Sequence, residues 1–152
     1  TMSEIAFQDN YPDELSHCYG CGRLNPDGLQ LKSYWDGDET VARFRPRSVH
    51  TAIPGYVYGG LLASLIDCHG TGSASAAAGR ARPDEAPFRF VTASLQVNDL
   101  RATPIDAELE IRGVIKELKE KKVVVSATVS AEGKLCATGE VVAVRMPENM
   151  LR

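Results

Sequence analysis

The apolar residues between positions 59 and 78 recur at helical spacing and predict one long helix. Leu62, Leu65 and Ile66 stand at i, i+3 and i+4, so they share one stripe of the helix surface. No other segment shows this period over a comparable length. The pattern therefore predicts a single long helix.

Most of the remaining chain alternates apolar and polar residues and predicts β-strands. The longer alternating segments are residues 88–100, 106–118, 122–134 and 135–147. A shorter strand pair is predicted within residues 29–46. Short polar turns separate the last three segments, which favours antiparallel hairpins over parallel crossovers. The predicted fold class is α+β, with one helix covered by one curved antiparallel sheet.

Nothing in the chain marks a linker, a repeat or a low-complexity tract. Its 152 residues are enough for one domain with a substantial core. Residues 1–27 are rich in Pro, Asn, Asp and Gly, and we expect them to form a turn-rich N-terminal segment of that domain. The sequence therefore predicts a single domain over residues 1–152.

Charge and composition argue against two classes of partner. Seventeen basic and 20 acidic side chains give a formal net charge of −3, and no basic block is present that would hold a nucleic-acid backbone. The longest apolar runs are shorter than the roughly 18 residues that span a bilayer. Four unevenly spaced cysteines agree with a reducing compartment. We expect a soluble, cytoplasmic protein that binds neither nucleic acid nor membrane.

One face of the predicted helix consists of small residues around a single acid, Asp67. The members of this face are Gly60, Ala63, Ser64, Asp67, Gly70, Thr71 and Ala74. Close packing against a sheet or a second subunit explains the small residues but not the acid. Because burying an ionised carboxylate without a partner costs several kcal/mol, Asp67 needs water, hydrogen-bond donors or a substrate beside it.

Gly59 and Gly60 supply the second half of a candidate site at the helix start. The first backbone N–H groups of a helix have no internal acceptors, and glycine lets a ligand approach them closely. Such a terminus stabilises the oxyanion that forms when a carbonyl is attacked. Asp67 follows two turns later, about 12 Å along the axis. A homodimer that brings Asp67 of one subunit to the glycines of the other would close this gap.

Hydroxyl side chains on the strand after the helix are further candidates. Thr92, Ser94, Gln96 and Asn98 are predicted to share one strand face. The ordinary explanation of this face is exposure to solvent. The functional explanation is a hydroxyl that lines the site.

The sequence predicts different roles for His69 and His50. His69 falls on the apolar stripe, and residues two apart on a helix point to nearly opposite sides, so a dyad with Asp67 is not expected. We expect a satisfied core histidine, unless His69 reaches a neighbouring site. His50 stands in a loop, where it would line a pocket entrance or cap a turn.

Cys18 and Cys21 have half of the spacing of a zinc site. The second half is missing, and Cys68, His69 or His50 would complete it only through folding. We therefore expect no metal. The expected structure is a tight glycine turn that buries small thiols, with a reversible disulfide as the alternative.

Three segments carry a family pattern. Residues 18–31 read CYGCGRLNPDGLQL, residues 50–70 read HTAIPGYVYGGLLASLIDCHG, and residues 133–144 read GKLCATGEVVAV. Together they resemble the hotdog-fold acyl-CoA thioesterases, in the branch similar to the phenylacetate-pathway enzymes. The resemblance implies a long central helix wrapped by a strongly curved antiparallel sheet.

The specific part of the family pattern is His-Gly-Gly, then six residues, then a catalytic Asp or Glu. Gly59, Gly60 and Asp67 fall on the matching positions, and Tyr58 stands where the His is usual. The usual His is thought to help shape the site near the thioester. Tyr58 therefore departs from the pattern next to the expected reaction centre.

The resemblance implies hydrolysis of an acyl-CoA thioester. Asp67 would act as a general base on water or as a nucleophile, and the Gly59 N–H, with Gly60 beside it, would polarise the thioester carbonyl. Thr92 would hold the attacking water. The positions expected to bind substrate are His50, Val57, Tyr58 and Ser94.

Cofactor and partner expectations follow from the same resemblance. No cofactor is expected because coenzyme A is part of the substrate, and the chain is expected to form a dimer at least, with a tetramer as the further expectation. Two rivals stay open. One is a hydratase or dehydratase on the same fold, which would pair Asp67 with a His across the interface. The other is a non-catalytic acyl-CoA binding protein, which the departure at Tyr58 keeps open.

Overall fold

Six strands form one antiparallel sheet in the computed structural model, which describes residues 5–151. The strands are β1 Ser33–Asp36, β2 Glu39–Phe44, β3 Phe90–Asp99, β4 Leu109–Leu118, β5 Lys122–Ala131 and β6 Lys134–Arg145. Their order across the sheet is β1-β2-β4-β5-β6-β3, with every neighbouring pair antiparallel. The four long alternating segments and the shorter strand pair of the sequence prediction are confirmed. Strand β3 lies at one edge of the sheet and β1 at the other.

The single long helix, α1, spans Gly59–Ala81 and begins at the predicted residue. The stripe of Leu62, Leu65 and Ile66 is buried, with Leu65 and Ile66 fully inaccessible to solvent. These side chains belong to the core cluster that the inner residues of β4, β5 and β6 complete. Each such side chain stabilises the fold by about 1.5–3 kcal/mol through removal of its apolar surface from water.

The face of small residues divides into two halves along α1. Its first half, which includes Asp67, is partly exposed, whereas Gly70, Thr71 and Ala74 are buried. A Cβ on Gly70 would lie 2.5 Å from the Val141 side chain, so the helix approaches β6 closely there. Close packing therefore explains the second half of the face, and the first half remains accessible.

In the structure the turn-rich N-terminal segment extends to residue 32, just before β1, and it packs against α1. Its own Phe7, Gln8, Tyr11 and Leu31 are buried. Gln8 fastens the segment to β1, because its Oε1 accepts from the Ser33 N–H at 2.8 Å and its Nε2 donates to Ser33 Oγ at 3.2 Å. Residues 1–4 and 152 of the predicted domain lie outside the described residues.

His69 is a fully buried core histidine whose two ring nitrogens are both hydrogen-bonded. Its Nδ1 lies 2.8 Å from Ser33 Oγ and its Nε2 lies 2.9 Å from Thr40 Oγ1, and Ser73 Oγ donates to Thr40. The expected core role is confirmed. Burial lowers the pKa of His69 from its ordinary value to about 4, because the charged form would lose its hydration.

The low pKa of His69 predicts a loss of stability in acid. The unfolded chain binds a proton at His69 below about pH 6.5, and the folded chain binds it only near pH 4. Stability is therefore highest above pH 6.5 and falls by about 3 kcal/mol as the pH drops to 4. Urea unfolding of wild type and His69→Gln across this range should show the extra slope in wild type alone. Equal slopes in both proteins would contradict the prediction.

None of the helices within residues 5–151 combines the length and the apolar character that crossing a bilayer requires.

Candidate active site

The first turn of α1 presents backbone N–H groups to the outside. Tyr58 is the N-cap residue, in extended backbone, and its own N–H donates to the His50 carbonyl at 2.9 Å. The N–H groups of Gly59 and Gly60 have no acceptor one turn earlier, and no hydrogen bond within residues 5–151 occupies them. Gly59 is exposed. These amides can therefore donate to an anionic oxygen.

The ring of Tyr58 lies directly on Gly60. A Cβ on Gly60 would sit 2.2 Å from Tyr58 Cε2, so only glycine permits this contact. The Tyr58 side chain is nevertheless 59% exposed. The residue that departs from the family pattern thus forms part of the surface around the helix start.

Two clefts meet at the start of α1. The Tyr58 cleft, of about 230 Å³, is lined by Tyr58, Gly60, His50 and Ser64, and by Tyr19 and Leu29 of the N-terminal segment. The Gly59 cleft, of about 350 Å³, is lined by Gly59, Val57, Leu62, Asp99, Arg101 and Thr103. A larger groove of about 500 Å³ lies at the other end of α1, beside Gly79 and Arg80, and contains none of the predicted site residues.

His50 combines the two roles that the sequence left open. Its Nδ1 accepts from the Arg47 N–H at 2.9 Å, which caps the short helical turn Ser48–His50. Its ring packs on Phe44 with 5.7 Å between the ring centroids, and it also lines the Tyr58 cleft. Partial burial and the nearby Arg47 lower the pKa of His50, which favours the neutral imidazole.

Asp67 has a hydroxyl partner on strand β3. Thr92 Oγ1 donates a hydrogen bond to Asp67 Oδ1 across the gap between α1 and the edge strand. Asp67 is partly exposed and Thr92 is exposed, so both reach the surface. The structure therefore brings together the acid and the threonine that the family resemblance assigned to the site, and it leaves one carboxylate oxygen for another contact.

The Asp67–Thr92 pair and the glycine amides lie apart within one chain. Asp67 lies eight positions after Gly59 on the helix, which is about 12 Å along the axis. Neither cleft at the helix start includes Asp67 or Thr92. One chain therefore presents two half-sites on its surface.

The expectation that Ser94 shares a strand face with Thr92 is wrong. A bulge interrupts the pairing of β3 with β6, so Thr92 pairs with Ala143 while Ser94 pairs with Val142. Neighbouring residues of β6 point to opposite faces of the sheet, and so do their partners. Thr92 faces α1, and Ser94 faces away from it. The other predicted substrate-binding residue, Val57, is buried and lines the Gly59 cleft.

Sequence reasoning missed three residues around the helix start. Tyr19 and Leu29 reach the Tyr58 cleft from the N-terminal segment, and no local pattern indicated that this segment folds back there. The Asp99 carboxylate lies 3.5 Å from where a Cβ of Gly59 would stand. The end of β3 and the start of α1 thus share one cleft, which only the tertiary fold reveals.

Comparisons with known proteins identify the family to which this architecture belongs. Its long helix wrapped by an antiparallel sheet is a hotdog fold, as predicted. The model of the thioesterase superfamily matches residues 54–138. A thioesterase superfamily protein from Shewanella loihica PV-4 is 52% identical, with a TM-score of 0.70, over 90% of this chain and 100% of that one. The chain belongs to the thioesterase superfamily.

Two more distant structures share the fold. The PaaI protein from the phenylacetic acid degradation operon of E. coli is 14% identical, with a TM-score of 0.66, over 78% of this chain and 81% of that one. The protein smu.793 from Streptococcus mutans UA159, bound to acetyl CoA, is 18% identical, with a TM-score of 0.63, over 74% and 84% of the two chains. A search of curated proteins found no match.

Proposed function

We propose that this protein hydrolyses an acyl-CoA thioester to the free acid and coenzyme A, at a site shared by two copies of the chain. The observation that carries the proposal is the Asp67–Thr92 pair on a helix whose first two residues, both glycines, have backbone N–H groups that donate no hydrogen bond within residues 5–151. Membership of the thioesterase superfamily supports the reaction class. A structural relative bound to acetyl CoA supports the ligand class.

The helix start supplies the electrophilic half of the site. The Gly59 N–H donates to the thioester oxygen, assisted by the Gly60 N–H beside it, and the bond strengthens as negative charge develops on that oxygen. The positive end of the helix macrodipole adds to this stabilisation. Gly59 leaves space for the acyl group, because it carries no side chain and the nearest atom to the place of its Cβ is Asp99 Oδ2 at 3.5 Å.

Asp67 supplies the nucleophilic half. As a general base it takes a proton from water while the hydroxide oxygen bonds to the carbonyl carbon; the C–S bond then breaks and the proton passes to the leaving sulfur. As a nucleophile its oxygen would bond to the carbonyl carbon while the C–S bond breaks and coenzyme A leaves as the thiolate, and water would then hydrolyse the resulting mixed anhydride. Both routes need a carboxylate. The hydroxyl of Thr92 holds Asp67 in place in either case.

Strand β3 supports the shared site. It is an edge strand, and its residues 92–96 are exposed on both faces of the sheet, including Leu95 at 36%. An exposed edge of this length is a template for pairing with another chain. A second copy on this edge would bring its own helix start towards Asp67 and Thr92. A dimer is therefore the smallest active unit that we propose.

Arg101 supports recognition of coenzyme A. It lines the Gly59 cleft, and no ion pair within residues 5–151 engages it. Arg43 and Arg82, by contrast, have carboxylate neighbours: Arg43 pairs with Glu110 at 3.1 Å, and Arg82 pairs with Glu85 at 3.8 Å. Arg101 therefore has a guanidinium that is available to meet a phosphate of the substrate.

Thiol release from a panel of acyl-CoAs tests the proposed reaction. Short-chain, long-chain and aryl thioesters are incubated with the protein, and free coenzyme A is followed with a disulfide dye. We expect enzyme-dependent release from at least one class, which would also begin to define the acyl group. Binding of acyl-CoAs without release from any of them would instead support a non-catalytic binding protein.

Tyr58→His should preserve thioesterase activity or raise it. The Tyr58 ring is exposed and rests on Gly60, and the smaller imidazole fits the same position. The variant restores the residue type that is usual in this family pattern. Comparison of kcat/KM with that of wild type tests the prediction, with circular dichroism as the control for folding. A variant that loses its fold would show that Tyr58 is structural.

A further inference from the structure

Three thiols from distant parts of the chain meet beside α1. Cys18 and Cys21 lie in the N-terminal segment and Cys68 lies on the helix, yet their sulfur atoms all fall within 4.8 Å of one another. Cys18 Sγ and Cys68 Sγ are 3.8 Å apart. The fold thus supplies a third ligand to the half-site that Cys18 and Cys21 form in sequence.

The spacing of the sulfurs matches thiolate ligands of one metal ion. A Zn²⁺–S bond of about 2.3 Å in tetrahedral geometry separates two sulfurs by about 3.8 Å. The Cys18–Cys68 distance has this value. A disulfide needs about 2.0 Å between the same atoms. The Cys18–Cys68 pair therefore has the spacing of two ligands of one ion rather than that of a disulfide, and Cys21 Sγ lies within 4.8 Å of both.

The loop between the cysteines is shaped around the sulfurs. A Cβ on Gly22 would stand 2.5 Å from the Cys18 nitrogen, and a Cβ on Gly20 would stand 2.2 Å from Cys68 Sγ. Glycine at both positions therefore lets the turn close around the three sulfurs, which a side chain would prevent.

We propose that Cys18, Cys21 and Cys68 bind one Zn²⁺ through three thiolates. Binding releases the three thiol protons and leaves a site of net charge −1. Three protein ligands leave the fourth position to water, on the side where Cys18 is partly exposed.

The ion would fasten the N-terminal segment to α1 next to the proposed active site. Cys68 follows Asp67 directly, and the segment that carries Cys18 also supplies Tyr19 and Leu29 to the Tyr58 cleft. The Leu29 N–H donates to the Tyr19 carbonyl at 2.8 Å, so a backbone hydrogen bond joins the two cleft residues. Metal binding would therefore hold one wall of the cleft in place, whatever reaction the site catalyses.

Metal content and cobalt spectroscopy test this site without an activity assay. The full chain is purified under reducing conditions and its Zn²⁺ is measured by elemental analysis. Co²⁺ then replaces the zinc, and its thiolate charge-transfer absorption reports sulfur ligands. The same measurements are made on Cys18→Ser, Cys21→Ser and Cys68→Ser. Cys136→Ser is the matched control, because Cys136 lies outside the cluster and its Sγ donates to the Lys134 carbonyl, as a hydroxyl can.

We expect about one Zn²⁺ per chain in wild type and in Cys136→Ser. Each of the three cluster variants should bind at least ten times more weakly and lose the charge-transfer absorption. A chelator should lower the midpoint of thermal unfolding of wild type and leave that of Cys68→Ser unchanged. Because wild type is measured directly, a variant that fails to fold does not obscure the result. Reduced wild type that takes up neither Zn²⁺ nor Co²⁺, or a disulfide within the cluster that survives reductant, would overturn the proposal.

Discussion

Asp67→Asn is expected to lower the turnover of an acyl-CoA thioester by about 10³-fold or more while the chain still folds and associates. The side-chain amide has nearly the shape of the carboxylate and can still accept a hydrogen bond from Thr92. It can neither take a proton from water nor attack a carbonyl carbon. The loss should therefore appear in kcat, with little change in the affinity for acyl-CoA.

The measurement compares thiol release by wild type, Asp67→Asn and Asp84→Asn. Asp84 is exposed in the turn after α1, away from both clefts, and controls for the loss of one negative charge. Circular dichroism and size-exclusion chromatography control for folding and assembly. Turnover unchanged in Asp67→Asn would remove Asp67 from the mechanism. If Asp99→Asn showed the larger loss instead, the carboxylate beside Gly59 would be the reacting group.

The fold could be predicted because its signals are local. Leu62, Leu65 and Ile66 repeat at the helical period, and their burial follows from having an apolar stripe that only a sheet can cover. The strands alternate with a period of two, and their short turns leave antiparallel pairing as the simplest connection. Helix, strands and their pairing direction are all specified within windows of about ten residues. The edge position of β3 is not specified in this way, because it depends on which distant strand pairs with β6.

The site could be predicted in part. Gly59, Gly60 and Asp67 lie on one continuous helix, so their separation follows from the helical rise. The family resemblance supplied Thr92 as a site residue, but its contact with Asp67 depends on the placement of both the helix and the strand and was not predicted. The bulge that turns Ser94 away from Thr92 has no signature in an alternating sequence, since one extra residue in the pairing reverses every later side chain.

The cysteine cluster also could be predicted only in part, because it too depends on a long-range contact. Cys18 and Cys21 are three residues apart, and their turn was predictable from the surrounding glycines. Cys68 is 50 residues away from Cys18 and meets it only because the N-terminal segment lies across α1. A half-site is therefore visible in sequence, while its completion depends on a long-range contact.

Gly59→Pro is expected to reduce turnover by about 10²–10³-fold, because proline removes the N–H that we assign as the main donor to the oxyanion. The backbone accepts this change. Proline is favoured at the first position of a helix, and Tyr58 already has the extended backbone, with ψ of 130°, that precedes proline readily. Gly59→Ala is the matched control, since it keeps the N–H and places a Cβ 3.5 Å from Asp99, an ordinary contact. Equal losses in both variants would point to steric exclusion of substrate rather than to the lost donor.

Mixed dimers of Gly59→Pro and Asp67→Asn then decide whether the site is shared. In a shared arrangement one of the two sites of a mixed dimer combines an intact Gly59 from one chain with an intact Asp67 from the other. Random exchange makes about half of the dimers mixed, so about a quarter of wild-type activity should return from two inactive proteins. Asp67→Asn mixed with the double variant Asp67→Asn/Gly59→Pro is the control, because no site then contains Asp67. If each chain held a complete site, neither mixture would recover activity, since every chain carries a defect in its own site.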